Sequence, residues 1–565
     1  MSSSLVVRPH LPSQAVVPPI QSSSKHVLRK QFVEIPSNNS SSSFSFSGTD
    51  RIEFDINSPS SFWSPLESYV RMDLTTNLTY EGQDDLSRYL SEGGAHALFR
   101  SMTVRTQSGV EICRIENYNR WYSMMASTMY SRDYVDRALH REGDSADGFS
   151  MVDGFVSADL REIQGTAFAY DDTGGSLEQL LTGTGSKFFD DLRVGDVVLL
   201  FDNDLSSLPA EVTAVLSQTT ATITTPIVSD FTANTCKVFR PAYQSNRAQI
   251  AQTDASSVCF QPALPFLQMA ESWIPLFLIK GGLRVSMELE RPEYVLCSPK
   301  SLVSSGWTSA GFTISNPYYV CSMIQPDQSL AESYLQMYKT NGLAYHFINI
   351  HFQSDYISAG STGRQNIVVN PGVRSARNVM CKIQNQRAQT VTAATVNGGK
   401  STFTADSIAQ GLKANLREFQ VESGSERFPL SGPVDCSSVD NAELMVQLQE
   451  TIGSLGVVMS NPRFLREQWV EKASNIEPYE QGAVGGRADS DRMVIACNFA
   501  RDASPYTGLD LSLNALNIQP NFDSVYTLTD DDGSSNSVNA ALYWLSFVSY
   551  DATLSVSESG VRVFR

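Results

Sequence analysis

The stretch Trp273-Ile274-Pro275-Leu276-Phe277-Leu278-Ile279-Lys280-Gly281-Gly282-Leu283-Arg284-Val285-Ser286-Met287-Glu288-Leu289-Glu290 holds three features in a row. An apolar segment interrupted by proline comes first, and a glycine pair then offers a turn. After it Leu283, Val285, Met287 and Leu289 alternate with Arg284, Ser286, Glu288 and Glu290. A period of two marks a strand with one face buried and the other in water. The apolar run Trp273 to Ile279 is far shorter than the roughly 20 residues a membrane-spanning helix needs.

Working outward, the same alternation returns on the N-terminal side at Ile52, Phe54 and Ile56, at Tyr69 to Leu74 and at Leu98 to Arg105. Asn57-Ser58-Pro59 and Gly93-Gly94 supply turns between these runs. Tyr118, Trp121, Tyr122, Met125 and Met129 form one apolar stripe at helical spacing, the pattern of a helix packed on a core. A strand is predicted just upstream at Val258 to Phe260, and on the C-terminal side another at Phe312 to Met323, with a polar helical connector at Gln328 to Lys339. A second series begins at Tyr345 to Ile350. It continues through Asn378 to Ile383, Leu416 to Val421, a helix at Asn441 to Ile452, Met493 to Phe499 and Ala541 to Val563. Both series run as short strands, one helix about a hundred residues in, then more strands. A local echo links Gly282-Leu283-Arg284-Val285-Ser286-Met287 to Gly508-Leu509-Asp510-Leu511-Ser512-Leu513.

Two segments stand apart. Residues 130 to 255, with Val194 to Leu200, Val212 to Leu216 and Thr220 to Ile227, read as a small barrel inserted on an exposed face. Residues 1 to 42 are rich in Ser, Pro and Val and read as a flexible arm with no face to bury. The first 49 residues carry Arg8, Lys25, Arg29 and Lys30 against Glu34 alone, in a chain of net charge −18. An acidic body is the opposite of what a dedicated nucleic-acid binder presents. Charged residues are 18% of the 565, below the about 25% of an average domain. So few charges suit a subunit that hides more than one surface. The eight cysteines are spread singly with no C-x-x-C pair, so they read as reduced, mostly buried thiols. The start MSSSLVVRPHLPSQ has no apolar core of a signal peptide, and synthesis inside a cell without secretion is expected.

The search for catalytic chemistry is negative. Asn397-Gly398-Gly399-Lys400-Ser401-Thr402 ends like a phosphate-binding loop, but Ala394 stands where that loop needs glycine, and a turn between strands is expected instead. His346 and His351 are five apart, so on one strand they face opposite sides and cannot share a metal. Asp530-Asp531-Asp532-Gly533 lacks the glutamate that closes a calcium loop and reads as a solvated turn. No G-x-S-x-G elbow is present. No catalytic, cofactor-binding or metal-binding residue is assigned, and no enzyme activity or cofactor is expected.

The segment Trp273 to Glu290 resembles the stretch before and within a late strand of the first jelly roll of double jelly-roll major capsid proteins of dsDNA viruses, of the polinton-like virus, virophage and adintovirus type. Arg51 to Ile56 with Tyr69 to Leu74, Ala97 to Val104 leading to Glu116-Asn117-Tyr118, and Leu542 to Asp551 with Gly560 to Phe564 resemble further passages of that family. The resemblance covers 44 to 565 apart from the insertion. It implies an all-β fold of two consecutive eight-stranded jelly-roll β-sandwiches with short helices and a small β insertion in the first. The implied division is an arm over 1–42, a first jelly roll over 43–330 with 130–255 as an outer tower, and a second over 331–565. It further implies homotrimers that form pseudo-hexagonal capsomers of an icosahedral virion. Neighbouring capsomers, penton and minor or cement proteins would be the partners, and nothing would insert in a membrane. Arg8, Lys25, Arg29 and Lys30 would lie inside, against genome DNA or inner capsid proteins. The alternatives are another virion β-sandwich protein, minor or at the vertex, and a lectin-like carbohydrate-binding protein.

Overall fold

The computed structural model describes residues 15–16, 27–39, 41–80, 83–84, 89–90, 93–129, 256–268, 273–297, 307–385, 408, 411–436, 442–454, 493–501 without 502–503, 504–529 and 537–565, with shorter pieces of 161–239. Strands dominate. In the first half the principal ones are β1 (Val27–Pro36), β2 (Arg51–Ile56), β3 (Phe62–Tyr80), β4 (Phe99–Thr106), β5 (Glu111–Glu116), β6 (Ser256–Phe260), β7 (Leu283–Leu289) and β8 (Trp307–Pro326). They form two antiparallel sheets, in the orders β6-β3-β8-β1 and β2-β7-β4-β5.

The second half contains β9 (Leu343–Ile357), β10 (Ile367–Val369, preceded by Gly363–Arg364), β11 (Ala376–Asn385) and β12 (Leu416–Ser423). It continues with β13 (Glu426–Phe428, resumed at Val434–Asp435), β14 (Ile495–Asn498), β15 (Leu516–Phe522) and β16 (Leu542–Ser557). Its sheets read β9-β16-β11-β14 and β10-β15-β12-β13. Counting strands one to eight within each half, both give 1-8-3-6 facing 2-7-4-5, an order in which neighbours in space are distant in sequence, as in a jelly roll.

Side chains from facing sheets close each sandwich. Phe54 of β2 meets Tyr319 of β8 edge to face at 5.6 Å, and Phe99 of β4 stacks on Phe260 of β6 at 5.3 Å. In the second half Phe419 of β12 stacks on Trp544 of β16 at 6.1 Å. Burial of each such ring contributes about 1.5–3 kcal/mol. One continuous apolar core runs through both sandwiches.

The glycine pair after the apolar segment is required by local geometry. Gly281 and Gly282 have φ of +81° and +79°, and a Cβ on Gly282 would lie 2.3 Å from the carbonyl oxygen of Ile56. Only a residue without a side chain turns there while letting β7 enter beside β2. Just before it, Ile274–Pro275 pairs with Phe62–Trp63 at the start of β3.

Among the described residues three helices of twelve or thirteen residues connect the strands. α1 (Tyr118–Met129) buries Tyr118, Trp121, Tyr122 and Met125 of the expected stripe. α2 (Gln328–Thr340) joins the halves. Asp327 caps it by accepting from the Leu330 N–H at 2.8 Å, and Gly342 at φ +74° ends it. α3 (Ala442–Ser454) occupies in the second half the place of α1 in the first, between the fifth and sixth strands.

The inserted region forms a nine-stranded antiparallel sheet from Arg161–Glu162 to Phe239, with its own small core of Phe168, Leu181, Phe188, Val198, Val212 and Ile223 among others. No ladder bond joins the two ends of its path among the described residues, but the sheet curls so that Phe231–Ala233 at one end lies beside Val197–Asp202 near the other. The leading arm differs from expectation. Val27–Pro36 is a strand hydrogen-bonded along β8, with Val33 and Ile35 half-buried on the core side. Further upstream, Ala15–Val16 pairs in parallel with Leu343–Ala344. Ladder bonds to β8 hold a segment whose own side chains bury little.

Candidate functional site at the seam and the sheet edges

Among the described residues, those with catalytic potential do not assemble into a reactive site. Asn397 to Thr402 and Asp530 to Gly533 lie outside the described residues. Among the described residues no group of three or more His, Cys, Asp or Glu side chains is placed to hold a metal ion. His346 and His351 both lie on β9. Burial pushes the His351 imidazole below its usual range, against the pull of Glu116.

His346 joins a buried centre around Asp551. The Asp551 carboxylate accepts from Ser375 Oγ at 2.5 Å, Arg377 Nη1 at 3.1 Å and the Tyr506 backbone N–H at 2.8 Å, with His346 Nε2 at 3.4 Å. Burial alone would raise its pKa. Hydrogen bonds from His346 and Ser375 and the Arg377 charge outweigh that and hold it below the usual carboxylate value. Serine, histidine and aspartate are all present, but the carboxylate stands between the other two. Ser375 therefore gives its proton to a carboxylate hydrogen bond rather than to an imidazole base, and the nucleophile geometry is absent. The centre ties β9, β16 and the start of β11 to the loop carrying Tyr506.

No disulfide joins the cysteines among the described residues. Burial pushes Cys113, Cys381 and Cys436 up to about 12, so they stay protonated and unreactive.

The most constructed polar region lies where the halves meet. β5 of the first half faces β9 of the second, with Cys113 Sγ 3.3 Å from Asn349 Oδ1. Asn349 Nδ2 in turn donates to Tyr550 OH at 2.9 Å. The connection after β6 also reaches across. Phe266 meets Phe347 edge to face at 5.3 Å, and the Tyr345 hydroxyl donates to the Trp273 carbonyl at 3.4 Å. From α1, Arg120 donates through Nε to Gln384 Oε1 of β11 at 3.2 Å. Its Nη1 bonds Asn117 Oδ1 at 2.9 Å and lies 3.5 Å from Glu290 Oε2, while its guanidinium covers the Tyr294 ring at 5.2 Å. Arg120 and Glu290 are both buried. The C-terminal residue adds a bond at the rim, from Arg565 Nη2 to Glu111 Oε1 at 3.1 Å.

Away from the seam, two edges carry apolar side chains into solvent. On β1, Leu28 and Phe32 are 67% and 58% exposed. On the far side of the second half, Leu430 follows β13 at 88% exposure and Leu513 precedes β15 at 95%, with Val446 of α3 also exposed. Of the four basic residues expected to face an interior partner, Arg8 and Lys25 lie outside the described residues. Arg29 is exposed on β1, and Lys30 pairs with Glu67 of β3.

The sequence matches no family model and no curated protein. Among solved structures the fold is similar to a chain of the Sputnik virophage, at 11% identity and TM-score 0.48, covering 100% of this chain and 93% of that one. It is also similar to the Faustovirus major capsid protein, at 8% identity and TM-score 0.49, covering 94% and 90%. The mavirus major capsid protein gives 9% identity and TM-score 0.42, covering 100% and 93%.

Proposed function

We propose that the chain is a structural major capsid protein whose homotrimers form pseudo-hexagonal capsomers of an icosahedral dsDNA virus shell. One observation carries this reading: two sandwiches with the same strand order stand side by side in one chain and share one core. A chain that presents two copies of one building block gives six from three subunits, and six blocks tile a surface hexagonally. The role is architectural rather than catalytic, in keeping with an Asp551 centre that ties elements together instead of activating a nucleophile. The inserted sheet is the tower of the capsomer and the chain divides at 330, with Val27–Pro36 belonging to the first sandwich rather than to a free arm ending at 42. Neighbouring capsomers, penton and minor capsid proteins are the partners, with Arg8, Lys25 and Arg29 turned towards the genome or inner proteins.

Light scattering on the purified chain, with negative-stain images of the same peak, tests the reading. The expected mass is three times 62.1 kDa, about 186 kDa, with a six-lobed outline. A single 62.1 kDa species that never assembles would overturn it.

A further inference from the structure

We propose that the N-terminal segment is an intrachain clasp: Ala15–Val16 closes the open edge of β9 while Val27–Pro36 supplies the edge strand beside β8, so the two sandwiches are joined twice, by α2 and by this segment. The clasp goes beyond the capsid-subunit reading and stands whether or not copies assemble.

The two anchors fall at the two ends of α2. Val27 pairs with Pro326, the last residue of β8, and Asp327 directly after it caps the helix. Ala15 and Val16 pair with Leu343 and Ala344, the first residues of β9, and the Gly342 that ends the helix lies directly before them. Thirteen helical residues at about 1.5 Å each give α2 a length of about 20 Å. Ten residues, 17 to 26, separate the anchors in sequence, and ten extended residues reach at most about 33–36 Å. That length is enough to pass from one end of the helix to the other within one chain, with little slack. Pro18 and Pro19 have no N–H to give to a ladder, which suits a connector rather than a strand.

Each anchor answers a need of its sheet. β9 has β16 along one side, and among the described residues its other side pairs with Ala15–Val16 alone. Farther along, the first half covers β9 through Tyr345, Phe347 and Asn349. Leu343 and Ala344 come before these contacts, where an open edge invites pairing with another chain. Two residues of ladder contribute little alone, and the second anchor is what holds them. β1 is bonded along β8 from Val27 to Pro36, with Val27, Val33 and Ile35 packed on the core. A short connection to so firm an anchor makes the pairing at β9 an intramolecular event, at an effective concentration of about millimolar. The segment of another copy does not match that in dilute solution, so the clasp closes within the chain. Opening it at β9 leaves β1 in place, because β1 has its own ladder and its own core contacts.

Hydrogen exchange on the full-length chain tests the clasp. In the double variant Ala15→Pro, Val16→Pro, proline removes the N–H groups of the short ladder and leaves β1 unaltered. Exchange at the start of β9, read on residues 341 to 346, should quicken about tenfold as this edge opens locally. Exchange at Val320 to Ser322, under β1, should not change. As a second readout, Val16→Cys and Ala344→Cys are placed in one chain and mildly oxidised, since the two positions are neighbours in the ladder register. The expected product is a link inside one chain, running as a monomer on a non-reducing gel. Differently tagged chains that carry one substitution each should give no link when mixed. Unchanged exchange in the proline variant would overturn the clasp. So would a link that forms only between the mixed chains, since the segment would then belong to the β9 of a neighbouring copy.

Discussion

β1 and β9 occupy the same place in their sandwiches, each at the outer side of its eighth strand, yet they live in different surroundings. On β9, Tyr345, Phe347 and Asn349 are buried against the first half. On β1, Leu28 and Phe32 stand in water, and only Val27, Val33 and Ile35 reach the core. Pairing does not separate the two strands, since both are paired along one side by a long neighbour. The covering of an edge is decided by what the chain places next to it. The order of the chain supplies a neighbouring half for β9 and none for β1.

The largest expected effect comes from breaking the seam that covers β9. Arg120→Ala leaves Glu290 as an uncompensated buried charge, which costs about 3–5 kcal/mol. Denaturant unfolding should show that loss, whereas Gln31→Ala on the exposed β1 edge should change the isolated subunit by less than about 0.5 kcal/mol. Equal losses at the two positions would mean that the edges are not as different as their exposure indicates.

A second contrast lies in the glycines that each half uses to bring strands together. Gly282→Ala places a side chain 2.3 Å from the Ile56 carbonyl at a φ of +79°. The left-handed backbone costs about 1–2 kcal/mol and the forced shift about 1–3 more, so thermal unfolding should occur several degrees lower. Gly508→Ala meets the Ala376 carbonyl at 2.2 Å but without positive φ, and its cost should be smaller.

These two glycines also show how far the sequence could be read. The echo between Gly282 to Met287 and Gly508 to Leu513 is a likeness of residues without a likeness of strand. The first segment enters β7, and the second is a loop with a single bridge from Leu509 to Ala376. What they share is a glycine pressed against a carbonyl. β7, β9, β11, β12 and the helices were legible because apolar periodicity survives in their residues. β15 was not, because Pro520 sits inside Leu516–Phe522, where a missing N–H argues against a central strand. β1 was hidden in a Ser- and Pro-rich stretch whose core contacts are too few to set a period. The seam was the least legible. Arg120 sits inside an aromatic stripe and Gln384 near the end of a strand buried along its whole length, and both look like faults in a pattern until the partner surface is known.

Buried charge in the second half gives the third test. Asp551→Asn keeps the shape of the carboxylate but not its charge, and hydrogen bonds to charged groups contribute about 1.5–3 kcal/mol. Because the folded carboxyl is held below its usual pKa, it stabilises the fold at neutral pH. That contribution fades as pH falls below the ordinary aspartate value of about 3.9 and is gone below the folded value. The difference in unfolding free energy between wild type and Asp551→Asn should therefore be constant from pH 7 to pH 5 and narrow only in stronger acid. A gap that closed well before strong acid would show that the Asp551 carboxylate does not carry this contribution.

The smallest effect belongs to the exposed edge and returns to the comparison between β1 and β9. Lys30 and Glu67 pair across β1 and β3 with both side chains more than 40% exposed. Glu67 is held below its usual pKa: burial opposes the shift, and hydrogen bonds from Lys30 and Ser322 overcome it. Solvent and side-chain entropy limit such a pair to about 0.2–1 kcal/mol, and salt at about 0.15 M screens it further. In dilute subunit, Lys30→Ala should shift the denaturant midpoint barely beyond error. On β9, where the cover is part of the same chain, Asn349→Ala removes a buried bond to Tyr550 and should cost more in the same measurement. A Lys30→Ala loss as large as that of Asn349→Ala would mean that the exposed edge is held as firmly as the covered one.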